Sequence, residues 1–97
     1  MMLGSGLRLS TRVEDLDRAT LREVVKYATQ YCTETFGTKR KKNPFTVSIV
    51  KQRGGEPAYG QYCPYDNKLF IYHNNCPTVK LVIQTVIHEY THYLQPV

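Results

Sequence analysis

From Thr78 to Leu94 the chain carries apolar residues at helical spacing, and this stretch constrains the rest of the fold. Val79, Val82, Ile83, Val86, Ile87, Tyr90, Tyr93 and Leu94 fall on one broad side of a helical wheel, the pattern of a helix that buries one face. Leu81, Gln84, Thr85, His88, His92 and Gln95 fall on the other side, so both histidines turn away from the packing face towards a cleft. The pair is spaced as His88-Glu89-x-x-His92. Residues four apart return to nearly the same helical face about one turn along, so two imidazoles can reach one ion from a single helix. Glu89 falls beside the pair, close enough to hold a water on that ion without being a ligand, where a general base belongs.

A chance match would leave His88 and His92 as ordinary surface groups. The spacing, the helix and the orientation all agree, and together they favour zinc, Zn2+, as the cofactor.

The preceding chain supplies a short sheet. Phe45-Thr46-Val47-Ser48-Ile49-Val50 alternates apolar and polar residues and reads as a first strand. Ala58-Tyr59-Gly60-Gln61-Tyr62-Cys63, bracketed by Pro57 and Pro64, reads as a second strand at an edge. Tyr65-Asp66-Asn67-Lys68 is turn chemistry, and the apolar run 68–73 argues for a central third strand. A hairpin makes the second and third strands antiparallel, which gives the spatial order first-third-second.

Upstream, a helix is expected from Asp17 or Thr20 to Phe36, with Thr20-x-x-Glu23 as a capping box. Leu21, Val24, Val25, Ala28, Cys32 and Phe36 form its stripe, and Gly37 ends it. Asn74 to Thr78 offers capping groups for the final helix. The expectation is an α+β fold: an N-terminal helix, a small three-stranded mixed sheet and a C-terminal helix, forming one domain over 1–97 with 1–10 as a flexible lead-in.

Ninety-seven residues suffice for one small core. No apolar run is long enough to span a membrane, and the start is not a signal peptide. The three cysteines, Cys32, Cys63 and Cys76, are odd in number and contain no C-x-x-C pair. That argues for reduced thiols and a cytoplasmic or otherwise intracellular setting. Cys63 or Cys76 as a metal ligand is a weaker alternative.

The net charge of +5 includes the run Lys39-Arg40-Lys41-Lys42, while Arg18, Arg22 and Lys26 recur on one helical face. Both features suit an anionic partner such as nucleic acid, against the plainer reading of a solvated loop and a solvated helix face.

The stretch from Phe45 to Gln95, with its Thr85-x-Ile87-His88-Glu89-x-x-His92 helix after a short sheet, resembles the zincin metallopeptidases. It looks most like their small SprT-like or minimal gluzincin-type members. The resemblance implies a zinc metallopeptidase, with His88 and His92 as metal ligands and Glu89 as the catalytic base. It also implies that the edge strand, through Ala58, Tyr59, Gly60, Gln61 and Tyr62, pairs with an extended polypeptide substrate.

Catalytic zinc normally has three protein ligands, and only two stand out here. Gln95 replaces the glycine of the metzincin extension, which excludes that subclass. The gluzincin third ligand is a glutamate on a downstream helix, which this sequence does not contain. The expectation is then a piece of a longer peptidase, a ligand from within the chain, or a sphere completed by water or a partner chain. Within the chain, His73 is the best substitute, with Asp66, Glu56 and the Val97 carboxylate poorer. A strand-end histidine beside Asn74 is more often a hydrogen-bonded loop residue, so His73 is not assigned to the metal. A rival reading is a zincin-fold module with little or no turnover that binds nucleic acid or protein through its basic surface.

Overall fold

Asp17 starts the first helix. In the computed structural model, which describes residues 7–37 and 45–94, its carboxylate accepts the Thr20 N–H at 2.7 Å. Hydrogen bonds from Thr20, side chain first and then main chain, hold the Asp17 carboxyl below its ordinary value. The cap is therefore Asp17, one turn before the Thr20-x-x-Glu23 box, because an ionised carboxylate there satisfies the third-position N–H. Helix α1 spans Arg18–Phe36 and buries Leu21, Val24, Val25, Ala28 and Cys32. Phe36 remains partly exposed at the rim. Gly37 closes the helix at φ 80°, a conformation suited to glycine, and its N–H returns to Thr33 O.

Three strands follow: β1 (Thr46–Val50), β2 (Gly60–Cys63) and β3 (Lys68–Tyr72). Their order is β1-β3-β2, with β1 parallel and β2 antiparallel to β3. The β2–β3 turn passes through buried Asn67 at φ 49°, a left-handed position that asparagine tolerates. The strands are shorter than their sequence pattern at three ends. Phe45 serves an aromatic cluster, the Ala58 N–H bonds the Gln52 side chain, and His73 opens a short 3₁₀ turn, His73–Asn75.

Helix α2 covers Val79–Leu94 and packs on α1, β2 and β3. The two helices cover one face of the sheet, so β3 is central but buried on that side alone. Leu69 and Ile71 are fully buried, whereas Lys68, Phe70 and Tyr72 are only half-buried. Burying each such aliphatic side chain contributes about 1.5–3 kcal/mol.

The first turn of α2 leaves N–H groups that need acceptors. Main chain supplies them. Val79 N–H donates to Thr11 O and Lys80 N–H to Leu9 O, both at 2.9 Å, and Val13 N–H returns to Pro77 O at 3.0 Å. This segment includes a 3₁₀ turn, Val13–Asp15, and Leu7 packs against the core. Residues 7–10 of the expected lead-in are thus tied to α2. Residues 1–6, the run Lys39 to Lys42 and 95–97 lie outside the described residues.

At its other end α2 is held by rings. Tyr90 and Tyr93 are buried and meet Phe45 at centroid distances of 5.0 and 5.2 Å. The Tyr90 hydroxyl donates to Gly37 O and locks α2 to the end of α1. Among the described residues no helix is long and apolar enough to cross a membrane.

Candidate metal centre

Six buried α2 side chains, Val79, Val82, Ile83, Val86, Tyr90 and Tyr93, fix the rotation of the helix. That rotation leaves His88 and His92 exposed and Glu89 half-buried. The two imidazoles stand 5.1 Å apart between centroids at an interplanar angle of 82°. One ligand atom from each of His88, Glu89 and His92 can be chosen so that all lie within 4.8 Å of one another. Two imidazoles on one helical face are nitrogen donors of the type zinc takes, and the Glu89 carboxylate stands beside them, within reach of a water on such an ion. Among the described residues no other histidine, cysteine, aspartate or glutamate joins this group.

His73 lies elsewhere. It lines a separate cleft with Arg12, Glu14 and Arg18 beyond the end of β3. Burial, and then the charges of Arg18 and Lys51, push its pKa below the ordinary 6.5. Asp66 and Glu56 are also absent from the metal group, and Val97 lies outside the described residues. The Asp66 carboxylate accepts from the Cys63 thiol, and the Glu56 carbonyl accepts from the Gln52 amide. Cys76 is buried, its Sγ 3.5 Å from Tyr59 O, and burial raises its thiol to about 11. Burial raises the Cys32 thiol to about 11 as well. All three cysteines are free thiols.

The edge strand passes beside the motif. A Cβ on Gly60 would lie 2.8 Å from Thr85 Cγ2 and 2.7 Å from Phe70 O, so only glycine allows β2 to sit this close to α2. Gly60 parts two open depressions of about 460 and 470 Å³, and Glu89 lines both. The first contains Gln61, Tyr62, Pro64 and His92, and the second Ala58, Tyr59, Leu81, Gln84, Thr85 and His88. All five residues expected to contact substrate therefore stand with the metal group, although Ala58 and Tyr59 precede the strand. Tyr59 O accepts the Tyr72 N–H at 2.9 Å. By antiparallel alternation, Gln61 and Cys63 also bond β3, while the backbone groups of Gly60 and Tyr62 face outward.

Thr85 departs from the wheel. It lies on the histidine side yet is buried, because β2 crosses that part of the helix. The loop before β2 is pinned by a network that the sequence alone did not reveal. Asn75 Nδ2 donates to Gln52 Oε1 at 2.6 Å and to Ala58 O at 2.7 Å, and Gln52 Oε1 also accepts the Ala58 N–H at 3.1 Å. Asn74 exchanges two further bonds with the Gln52 main chain. The local signal, amide side chains flanking the loop, is common to many turns. Tyr62 donates its hydroxyl to Asn67 Oδ1 at 2.8 Å and is thereby committed to the turn.

No known protein family, curated protein or solved structure matches this chain in comparison searches.

Proposed function

We propose that the protein is a zinc-dependent metallopeptidase core of the zincin type. The observation that carries this reading is that Gly60 of the edge strand β2 and Glu89 of the histidine-bearing helix together line both depressions beside that strand. His88 and His92 hold the ion. Bound zinc supplies a Lewis acid for the scissile carbonyl and acidifies a water towards neutral pH. An extended polypeptide lies beside β2 and pairs with the outward backbone groups of Gly60 and Tyr62. Glu89 takes the proton of the attacking water and delivers it to the leaving amine. Tyr59 and Leu81 wall the depression beside His88, where a substrate side chain is received.

The test uses zinc-loaded protein and an unfolded protein substrate such as casein, read by new amino termini and by metal content. Glu89→Gln should retain zinc and lose hydrolysis. Hydrolysis that survives in Glu89→Gln, or purified protein that takes up no zinc, sinks the proposal.

A further inference from the structure

The opposite edge of the sheet has its own groove. It runs between α1 and β1, measures about 830 Å³ and is lined by Arg18, Arg22 and Lys26 on one side and Val47 and Ile49 on the other, with Val25 among its apolar walls. Helix and strand run in opposite directions along it. Arg18 meets Ile49 at one end, while Phe36 and Phe45 both approach Tyr90 at the other.

Three features of this groove agree. The Thr46 N–H bonds Asn67 O, so alternation turns the backbone groups of Val47 and Ile49 away from β3 and into the groove. Arg18 Nη2 donates to Ile49 O at 3.1 Å, so a side-chain donor already occupies one of those acceptors. Sheet edges with open N–H and C=O groups accept further strands.

Charge is the second feature. The groove has three cations and a single carboxylate, Glu23. The one ion pair among the described residues, Arg12–Glu14, involves none of these cations.

Spacing is the third. Residues four apart on α1 recur about every 6 Å. Alternate side chains on one face of a strand recur about every 6.6–6.8 Å. A strand with an acidic residue at every second position therefore matches Arg18, Arg22 and Lys26 step for step. Its intervening side chains point to the other face of the sheet, where β-branched residues suit a pleated surface.

We propose that the α1–β1 groove binds an extended acidic peptide segment of a partner protein, which adds to the sheet beside β1 with its carboxylates against Arg22 and Lys26. A nucleic acid would engage the same cations but has no use for the main-chain edge of Val47. The surface is separate from the metal group and lies across the sheet from β2.

The experiment follows fluorescence polarisation of a labelled Glu-Val-Glu-Val-Glu-Val peptide at low salt with EDTA present, so that metal-dependent sites are silent. Saturable binding is expected. It should weaken roughly tenfold or more in the Arg22→Glu/Lys26→Glu variant, the scale of two exposed charge pairs lost and reversed. Val47→Pro removes one edge N–H and should weaken binding several-fold, since proline is tolerated at a strand edge. If Val47→Pro melts at a lower temperature than the parent, a probe N-methylated at alternate residues makes the same test on the parent protein. Failure of the peptide to bind overturns the proposal, as does parental affinity in the charge-reversed variant. Parental affinity for the N-methylated probe, or tighter binding of a single-stranded oligonucleotide of equal charge, assigns the surface to unspecific anion contact and also overturns it.

Discussion

Gly60 and Thr85 meet where the edge strand crosses the helix that carries the histidines, at a distance that leaves no room for a β-carbon. The contact links the fold to the candidate site. Thr85 lies one turn before His88 and Glu89, and its hydroxyl is held by Leu81 O at 2.7 Å. Gly60 is the point where the two depressions beside Glu89 meet. The height of β2 above the motif is thus governed by one absent side chain.

Gly60→Ala should destabilise the protein by about 1–3 kcal/mol, the usual cost of overpacking a tight contact. Urea unfolding measures it. Adding Thr85→Ser removes the methyl at 2.8 Å while retaining the hydroxyl, and should restore part of the loss. Recovery stays incomplete because Phe70 O, at 2.7 Å, is main chain and cannot rotate away. Full stability in Gly60→Ala would mean that β2 does not rest on α2 as described.

The elements of this fold are legible in the sequence wherever one periodic stripe decides the outcome. The α2 stripe fixes the exposure of His88 and His92, and the turn at 64–67 makes β2 and β3 a hairpin. The order β1-β3-β2 follows from the apolar character of Leu69 and Ile71, which must lie over the helices. The contacts that place the edge strand are not legible in this way. Thr85 is buried by a residue 25 positions earlier, and Asn75 bonds Ala58 and Gln52 across a loop. The cap of α2 comes from Leu9 and Thr11, far upstream. Each is a long-range pairing that no local spacing encodes. Zinc and hydrolysis rest on three motif residues and their surroundings.

Asn75→Ala removes the donor that Gln52 Oε1 and Ala58 O share. An unpaired carbonyl in this half-buried position should cost about 1–3 kcal/mol. Because the network positions Ala58 and Tyr59 beside the site, peptide hydrolysis should suffer more through KM than through kcat. Unfolding curves and steady-state kinetics on one preparation separate the effects. An unchanged KM with lowered kcat would show that the network does not serve substrate pairing.

His73 gives a pH dependence of definite sign. Its pKa in the folded protein lies below the ordinary 6.5, mainly through burial and then through Arg18 and Lys51. As pH falls through 6.5, the unfolded chain takes up the proton first, so stability drops with pH until the folded-state value is reached. The contribution is fully present above 6.5. His73→Gln should flatten the slope just below that pH in urea midpoints taken at half-unit steps. A steeper slope in the variant would reverse the assigned direction.

The metal group makes the final prediction, a division between residues that sequence proximity does not provide. His88 and His92 share one helical face with exposed rings, so each should be indispensable to zinc affinity. Either one replaced by alanine should weaken binding by at least about 100-fold, beyond the 10–100-fold typical of losing a supporting partner. His73→Ala should leave affinity within about twofold, because His73 occupies another cleft with Arg12 and Glu14. With two imidazoles as its only nitrogen ligands among the described residues, the protein should exchange zinc readily and yield it to a chromophoric chelator in competition. The same titration reads all three variants. If His73→Ala lost zinc as completely as His88→Ala, the cluster of His88, Glu89 and His92 would not be the metal site. Tight, slowly exchanging zinc in the parent that survives His73→Ala would require a further ligand from outside the described residues or from a second molecule.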